Sequence, residues 1–110
     1  MEIIQINKGD ALILAIKGRL DAVTSAELES SAIALIDSGN KKLILDFSNL
    51  DYISSAGLRV LLLIAKKMKS SGGSVALASM KEFIKEVFEI SGFISIFQIA
   101  DDVDKAVTLL

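Results

Sequence analysis

The spacing of apolar residues constrains this chain more than any other feature, because it switches repeatedly between the period of a strand and that of a helix. Lys42-Leu-Ile-Leu-Asp-Phe47 is short, β-rich and bounded by polar residues, so it reads as a buried strand. Directly downstream, Leu58, Leu61, Leu62, Ala65 and Met68 recur at the three- and four-residue spacing of a helix face. Val60, Leu63 and Ile64 widen that face, so the helix is either buried broadly or offers part of its surface to a partner. Before this pair, Ile3 to Ile6 and Ala11 to Ile16 read as strands joined through Asn7-Lys-Gly-Asp10, with Gly9 suited to a hairpin turn. Gly18-Arg-Leu-Asp21 then turns the chain into a helix capped by Thr24, with a stripe of Leu28, Ala32, Leu35 and Ile36 and a stop at Gly39. After the central helix come a Ser70-to-Ser74 loop and a strand at Val75 to Ala78. A helix from about Met80 buries Phe83, Ile84, Val87 and Phe88 and stops at Gly92. A last strand runs from Ile94 to Ile99, and a short terminal helix from Val103.

Strands that alternate with helices must run largely parallel, because each helix carries the chain back to the starting edge of the sheet. The expectation is therefore one α/β domain over residues 1–110. Its sheet is mixed, mainly parallel and four- to five-stranded, opened by an antiparallel hairpin, with the helices largely on one face. In such sheets function sits where strands end and helices begin. The Asp46 to Arg59 connection is of that kind, and so is the Gly18 to Thr24 turn if its helix packs beside the central one.

Composition removes whole classes of chemistry. The 110 residues include no cysteine and no histidine. Disulfides, thiolate nucleophiles and sulfur-ligated metals are excluded, as is a Ser–His–Asp triad. No metal or other cofactor is expected. A net charge of -2 without a basic stripe argues against nucleic acid. No apolar run approaches the ~20 residues that span a bilayer, and the first residues lack the basic start of a signal peptide. No membrane association and a cytoplasmic location are expected.

The opening of the central helix, Ser54-Ser-Ala-Gly-Leu-Arg59, carries no acid and one cation. A helix start exposes unpaired N–H groups and about half a positive charge, which acids in the first turn usually offset. Thr24-Ser-Ala-Glu27 and Ser79-Met-Lys-Glu82 read as capping boxes that follow this rule. Two readings of the serines stay open: one simply caps the helix, or one is presented for phosphoryl chemistry or anion contact. A third reading uses Asp46, at a strand end, with Asp51 as a receiver-like or metal-dependent phosphotransfer site. That chemistry also needs paired acids after the first strand, where the hairpin stands instead. From the pattern alone, Asp46, Asp51 and Asp21 read better as turn residues bonded to their own backbone, and Arg59 most simply as a solvated charge. Gly72-Gly73 reads as a plain turn, since no lysine or threonine follows at phosphate-loop spacing.

Three dispersed segments resemble the anti-sigma-factor antagonists of the STAS-domain family. They are Gly18-Arg-Leu-Asp21, Leu45-Asp-Phe-Ser-Asn-Leu-Asp-Tyr-Ile-Ser-Ser-Ala-Gly-Leu58 and Phe88-Glu-Ile-Ser-Gly-Phe93. The resemblance implies the same α/β architecture and a regulatory protein that is not an enzyme. It implies that the unphosphorylated form binds an anti-sigma factor with serine kinase activity and so frees a sigma factor. Phosphorylation releases the complex, and a serine phosphatase resets it. By the same resemblance the phosphoacceptor falls on Ser55, with Ser54 a rival, the helix-opening glycine on Gly57 and a partner-recognition aspartate on Asp21. With Arg59 on the first turn, the expected partner-binding set is Asp21, Ser54, Ser55, Gly57 and Arg59. Two positions depart from the family pattern. Ser54 stands where the family has an aspartate, and Ala56 where it has a second hydroxyl residue. A structural STAS domain from a different signalling assembly, recognised by stable self-association without kinase dependence, is a further reading within the same fold.

Overall fold

In the computed structural model, which describes all 110 residues, Gly9 and Asp10 close a hairpin between β1 (Glu2–Lys8) and β2 (Ala11–Leu20). Their antiparallel register runs from Lys8 opposite Ala11 to Glu2 opposite Lys17. The middle of β2 pairs in parallel with β3 (Lys42–Asp46), β3 with β5 (Ser74–Ala78), and β5 with the three-residue β6 (Gln98–Ala100). Five strands thus stand in the order β1-β2-β3-β5-β6. A sixth, β4 (Leu50–Ile53), pairs in parallel with the far end of β2. The mixed, mainly parallel sheet expected from the alternating pattern is present, with β4 as an addition.

The two-residue period of the strands sorts their side chains onto two faces. Leu12, Leu14, Ile16, Leu43, Leu45, Val75 and Leu77 point into the main core. There they meet α1 (Ala22–Asp37) through Leu28, Ala32 and Ile36, and α2 (Ser55–Ser70) through Leu58, Leu61, Ile64 and Met68. α3 (Glu82–Ser91) adds Ile84 and Phe88, and Phe47 and Phe97 flank the Phe88 ring at centroid distances of 6.4 and 5.9 Å. The alternate residues Ala11, Ile13, Ile44, Ala76 and Ala78 form a thinner layer under α4 (Val103–Leu109), which contributes Ala106. Small side chains there let a seven-residue helix lie close to the sheet. Three helices therefore share one face and α4 takes the other. None of the four is long and apolar enough to cross a membrane.

Several local expectations are corrected. The Gly18 to Asp21 segment is not a turn, since β2 stays extended through Leu20 and α1 starts at Ala22. α1 is capped by Asp21, and the capping box joins Asp21 to Thr24 rather than Thr24 to Glu27. α3 starts at Glu82 behind Lys81 with no side-chain cap, because Ser79 sits at φ 61 in the left-handed region, two residues before the cap position. Phe83 is 50% exposed, as α3 turns only Ile84 and Phe88 fully inward. Residues Phe93–Ser95 form a 3-10 turn where a strand was expected, so β6 begins only at Gln98.

Candidate functional site

The site is assembled by a change of partner along β2. The pairing of β2 with β3 ends at Ala15, and from Gly18 to Leu20 it pairs with β4 instead, the register slipping by one residue between Gly18 and Arg19. Gly18 adopts φ +102, which favours glycine, and its N–H donates to the Asn49 carbonyl at 3.0 Å. Leu20 then lies opposite Ile53, and the Ser54 N–H donates to the Leu20 carbonyl at 2.9 Å. The residues that follow these strand ends, Asp21 and Ser54, are the N-caps of α1 and α2. The structure thus brings Asp21, Ser54 and Ser55 to adjacent helix openings on one edge of the molecule. Gly57 permits the close approach. A Cβ there would come within 2.9 Å of Ile53 Cγ1 and Leu20 Cγ, and 3.0 Å from the Leu20 carbonyl oxygen.

The two openings differ in charge. Asp21 accepts from the Val23 and Thr24 N–H groups, both at 3.0 Å, while its own N–H donates to Thr24 Oγ1 at 2.9 Å. These bonds hold its carboxyl below the usual aspartate range, the Thr24 N–H contributing most and the Arg19 guanidinium adding to it. At α2 the cap is neutral. Ser54 Oγ accepts from the Gly57 N–H at 3.2 Å, and the Leu58 N–H donates to the Ser54 carbonyl at 3.0 Å. Of the four N–H groups that a helix start leaves without helical partners, those of Ser54 and Gly57 are taken up. Those of Ser55 and Ala56 have no acceptor within the chain. α1, α3 and α4 each carry an acid at the cap or in the first turn, and α2 has neither. The two serines also part roles here. Ser54 is half-buried and spends its hydroxyl on the cap, whereas Ser55 is exposed on the first helical residue.

Arg59 lies exposed one turn into α2, four residues beyond Ser55. With Ala22, Ser25, Glu29, Ala56 and Leu63 it lines a shallow groove of about 310 Å³ between α1 and α2. Three further residues of this face escape a reading of the sequence. Val23 is 82% exposed beside Asp21, although its apolar character suggests burial. The Arg19 guanidinium lies 4.1 Å from the centre of the Tyr52 ring, across the β2–β4 pair. The one available signal was that Tyr52 is the chain's single tyrosine, set next to the serine pair's loop. Leu63, 40% exposed, is the apolar surface that the width of the central helix face had foreshadowed.

The acidic alternative finds no such convergence. Asp46 accepts from the Ser48 N–H at 3.0 Å, an Asx turn on its own backbone. Asp51 forms an ion pair with Lys81 at 2.6 Å. No group of three or more acidic, histidine or cysteine side chains is placed to hold a metal ion.

A model of the STAS domain matches residues 3–106 of this α/β chain. The chain belongs to the STAS-domain family. BtrV of Bordetella bronchiseptica, named as an anti-sigma factor antagonist, is 41% identical over 102 residues, covering 92% of this chain and 88% of that protein. A Thermotoga maritima protein described as an anti-sigma factor antagonist superposes with a TM-score of 0.91 at 25% identity, over 96% of this chain and 92% of its own. The Bacillus cell-fate determinant SpoIIAA, in its phosphorylated form, shares the fold with a TM-score of 0.74 at 16% identity, over 99% of this chain and 100% of its own.

Proposed function

We propose that this chain is an anti-sigma-factor antagonist switched by phosphorylation of Ser55. In this reading residues 1–110 act as one cytoplasmic, non-enzymatic module. The unphosphorylated form binds an anti-sigma factor that is also a serine kinase, and so releases a sigma factor. Asp21, Ser54, Ser55, Gly57 and Arg59 form the contact edge. The kinase modifies Ser55, the complex separates, and a serine phosphatase restores the binding form. Kinship with BtrV supports the partner class. The observation that carries the choice of serine is the division of labour at α2: Ser54 Oγ is held by the Gly57 N–H at 3.2 Å while Ser55 stands exposed. A phosphate on Ser55 would meet the unpaired N–H groups of Ser55 and Ala56 and a positive helix end that no acid offsets.

The test begins with the kinase that the wild-type protein captures from its own cells. Incubated with that kinase and ATP, Ser54→Ala takes up phosphate and Ser55→Ala does not. Normal phosphate uptake by Ser55→Ala would move the switch to Ser54. Capture of partners that include no kinase would replace this reading with that of a STAS domain from another assembly.

A further inference from the structure

The edge of the sheet opposite the β6 side is open. β1 pairs only with β2, and along its outer side the alternate N–H and C=O groups of seven residues face solvent. The strand has no proline and no bulge, and its two charges, Glu2 and Lys8, stand only at its ends. On the α4 side of the sheet it presents Glu2, Ile4, Ile6 and Lys8 in a row, with Ile4 44% and Ile6 48% exposed.

This row is self-complementary. We propose that the protein forms a two-fold homodimer by antiparallel pairing of β1 with β1 of a second copy, with the axis passing through Gln5. That register sets Glu2 against Lys8 of the second copy, Ile4 against Ile6, and Gln5 against Gln5. On the α4 side, four isoleucines then meet at the centre with an opposite-charge pair at each end. On the helix-rich side, Ile3 meets Asn7. Sliding the pair by two residues either way sets a charge against an isoleucine, Glu2 on Ile6 or Lys8 on Ile4, so the charge pattern selects one register. Lys8 already contacts Asp104 of α4 in its own chain, which holds the ammonium near the row's end. A two-fold axis normal to the sheet makes the interface isologous and joins the two sheets into one. It also reverses strand direction between copies, so the two Ser55 edges point to opposite ends and each stays accessible. The dimer does not depend on the phosphorylation switch.

The chain has no cysteine, so a single introduced thiol reports the register directly. Under mild oxidation Gln5→Cys links to its own symmetry mate and runs as a covalent dimer. Asn7→Cys, which faces Ile3, stays unlinked. By light scattering the wild type reaches twice its 11.8 kDa chain mass as concentration rises. Ile6→Lys remains at the single mass and melts like the dilute, single-chain wild type, since the side chain is exposed in one chain. Glu2→Lys weakens dimerisation about tenfold through two like-charge pairs. A wild type that keeps the single mass up to its solubility limit overturns the proposal. So does a dimer that Gln5→Cys fails to trap.

Discussion

Ser54 and Ser55 are neighbours with opposite duties, and each duty predicts a different measurement. Ser54 supplies the side-chain cap of α2, so Ser54→Ala leaves the Gly57 N–H without its acceptor. Loss of such a cap costs about 0.5–2 kcal/mol, visible as a lower melting temperature with phosphate uptake intact. Ser55→Ala removes an exposed hydroxyl, and its stability stays within about 0.5 kcal/mol of wild type. Asp21 has both duties at once. Its carboxylate caps α1 and sits at the proposed contact edge, so Asp21→Ala confounds stability with binding. Asp21→Asn keeps a capping oxygen while removing the charge, and it is the variant that isolates partner recognition. Because the folded-state pKa of Asp21 is depressed, its contribution to stability is fully present above the unfolded aspartate value of about 3.9. That contribution is lost as pH falls through the lower folded value. Carboxyl NMR should therefore show Asp21 titrating below a solvated aspartate. In Asp21→Asn, the part of the acid unfolding profile that arises from this group should disappear.

At the scale of elements, the join between α2 and the β2–β4 pair decides whether the edge exists. Gly57→Ala would gain up to about 1 kcal/mol of helix propensity on a solvated helix. Here the new methyl meets Ile53, Leu20 and a backbone carbonyl at 2.9 to 3.0 Å. Overpacking of this kind costs about 1–3 kcal/mol, so the variant should be less stable in urea and should push the α2 opening away from Asp21, weakening partner binding. The same join marks the boundary of what the sequence made legible. Regular periods made α2, β3 and the hairpin readable, and the order of Asp21, Ser54 and Ser55 along the chain was readable too. Their adjacency was not. β4 is four residues long with only its two end residues, Leu50 and Ile53, buried, which matches neither a two-residue nor a helical period. It is a strand because β2 runs on past β3 and β4 follows it with one residue, Asp51, left out of register, a tertiary event with no local signature. The α1 cap was misplaced for a related reason. Thr24 and Glu27 form a sound capping pattern, but Asp21 reaches two N–H groups from further upstream, and Thr24 joins it from inside the helix.

For the whole molecule, the question is whether modification of Ser55 would reshape the fold or only its surface. α2 is anchored along its length by Gly57, Leu58, Leu61, Ile64 and Met68, all buried, and packs beside α1 on a continuous core. Moving it would expose several fully buried side chains, at about 1.5–3 kcal/mol each. A phosphate at the exposed helix opening supplies no comparable driving force, since a favourable interaction with a helix end is worth about 0.3–2 kcal/mol. The fold should stay as it is. What changes is charge: the chain passes from a net -2 to about -4, with the added charge set at the proposed contact edge. Arg59, four residues on, lies within reach of the new phosphate, and pairing with it would withdraw the edge's cation from the partner. The prediction is a phosphorylated protein whose melting temperature barely moves. Its amide NMR shifts should change at the starts of α1 and α2 and leave β3 and β5 still, while affinity for the kinase partner falls at least about tenfold, or ~1.4 kcal/mol. High salt should recover part of that loss, as expected of a charge that acts at an exposed surface. Shifts that spread through β3 and β5, or affinity unchanged by the phosphate, would mean that the switch works by some other means.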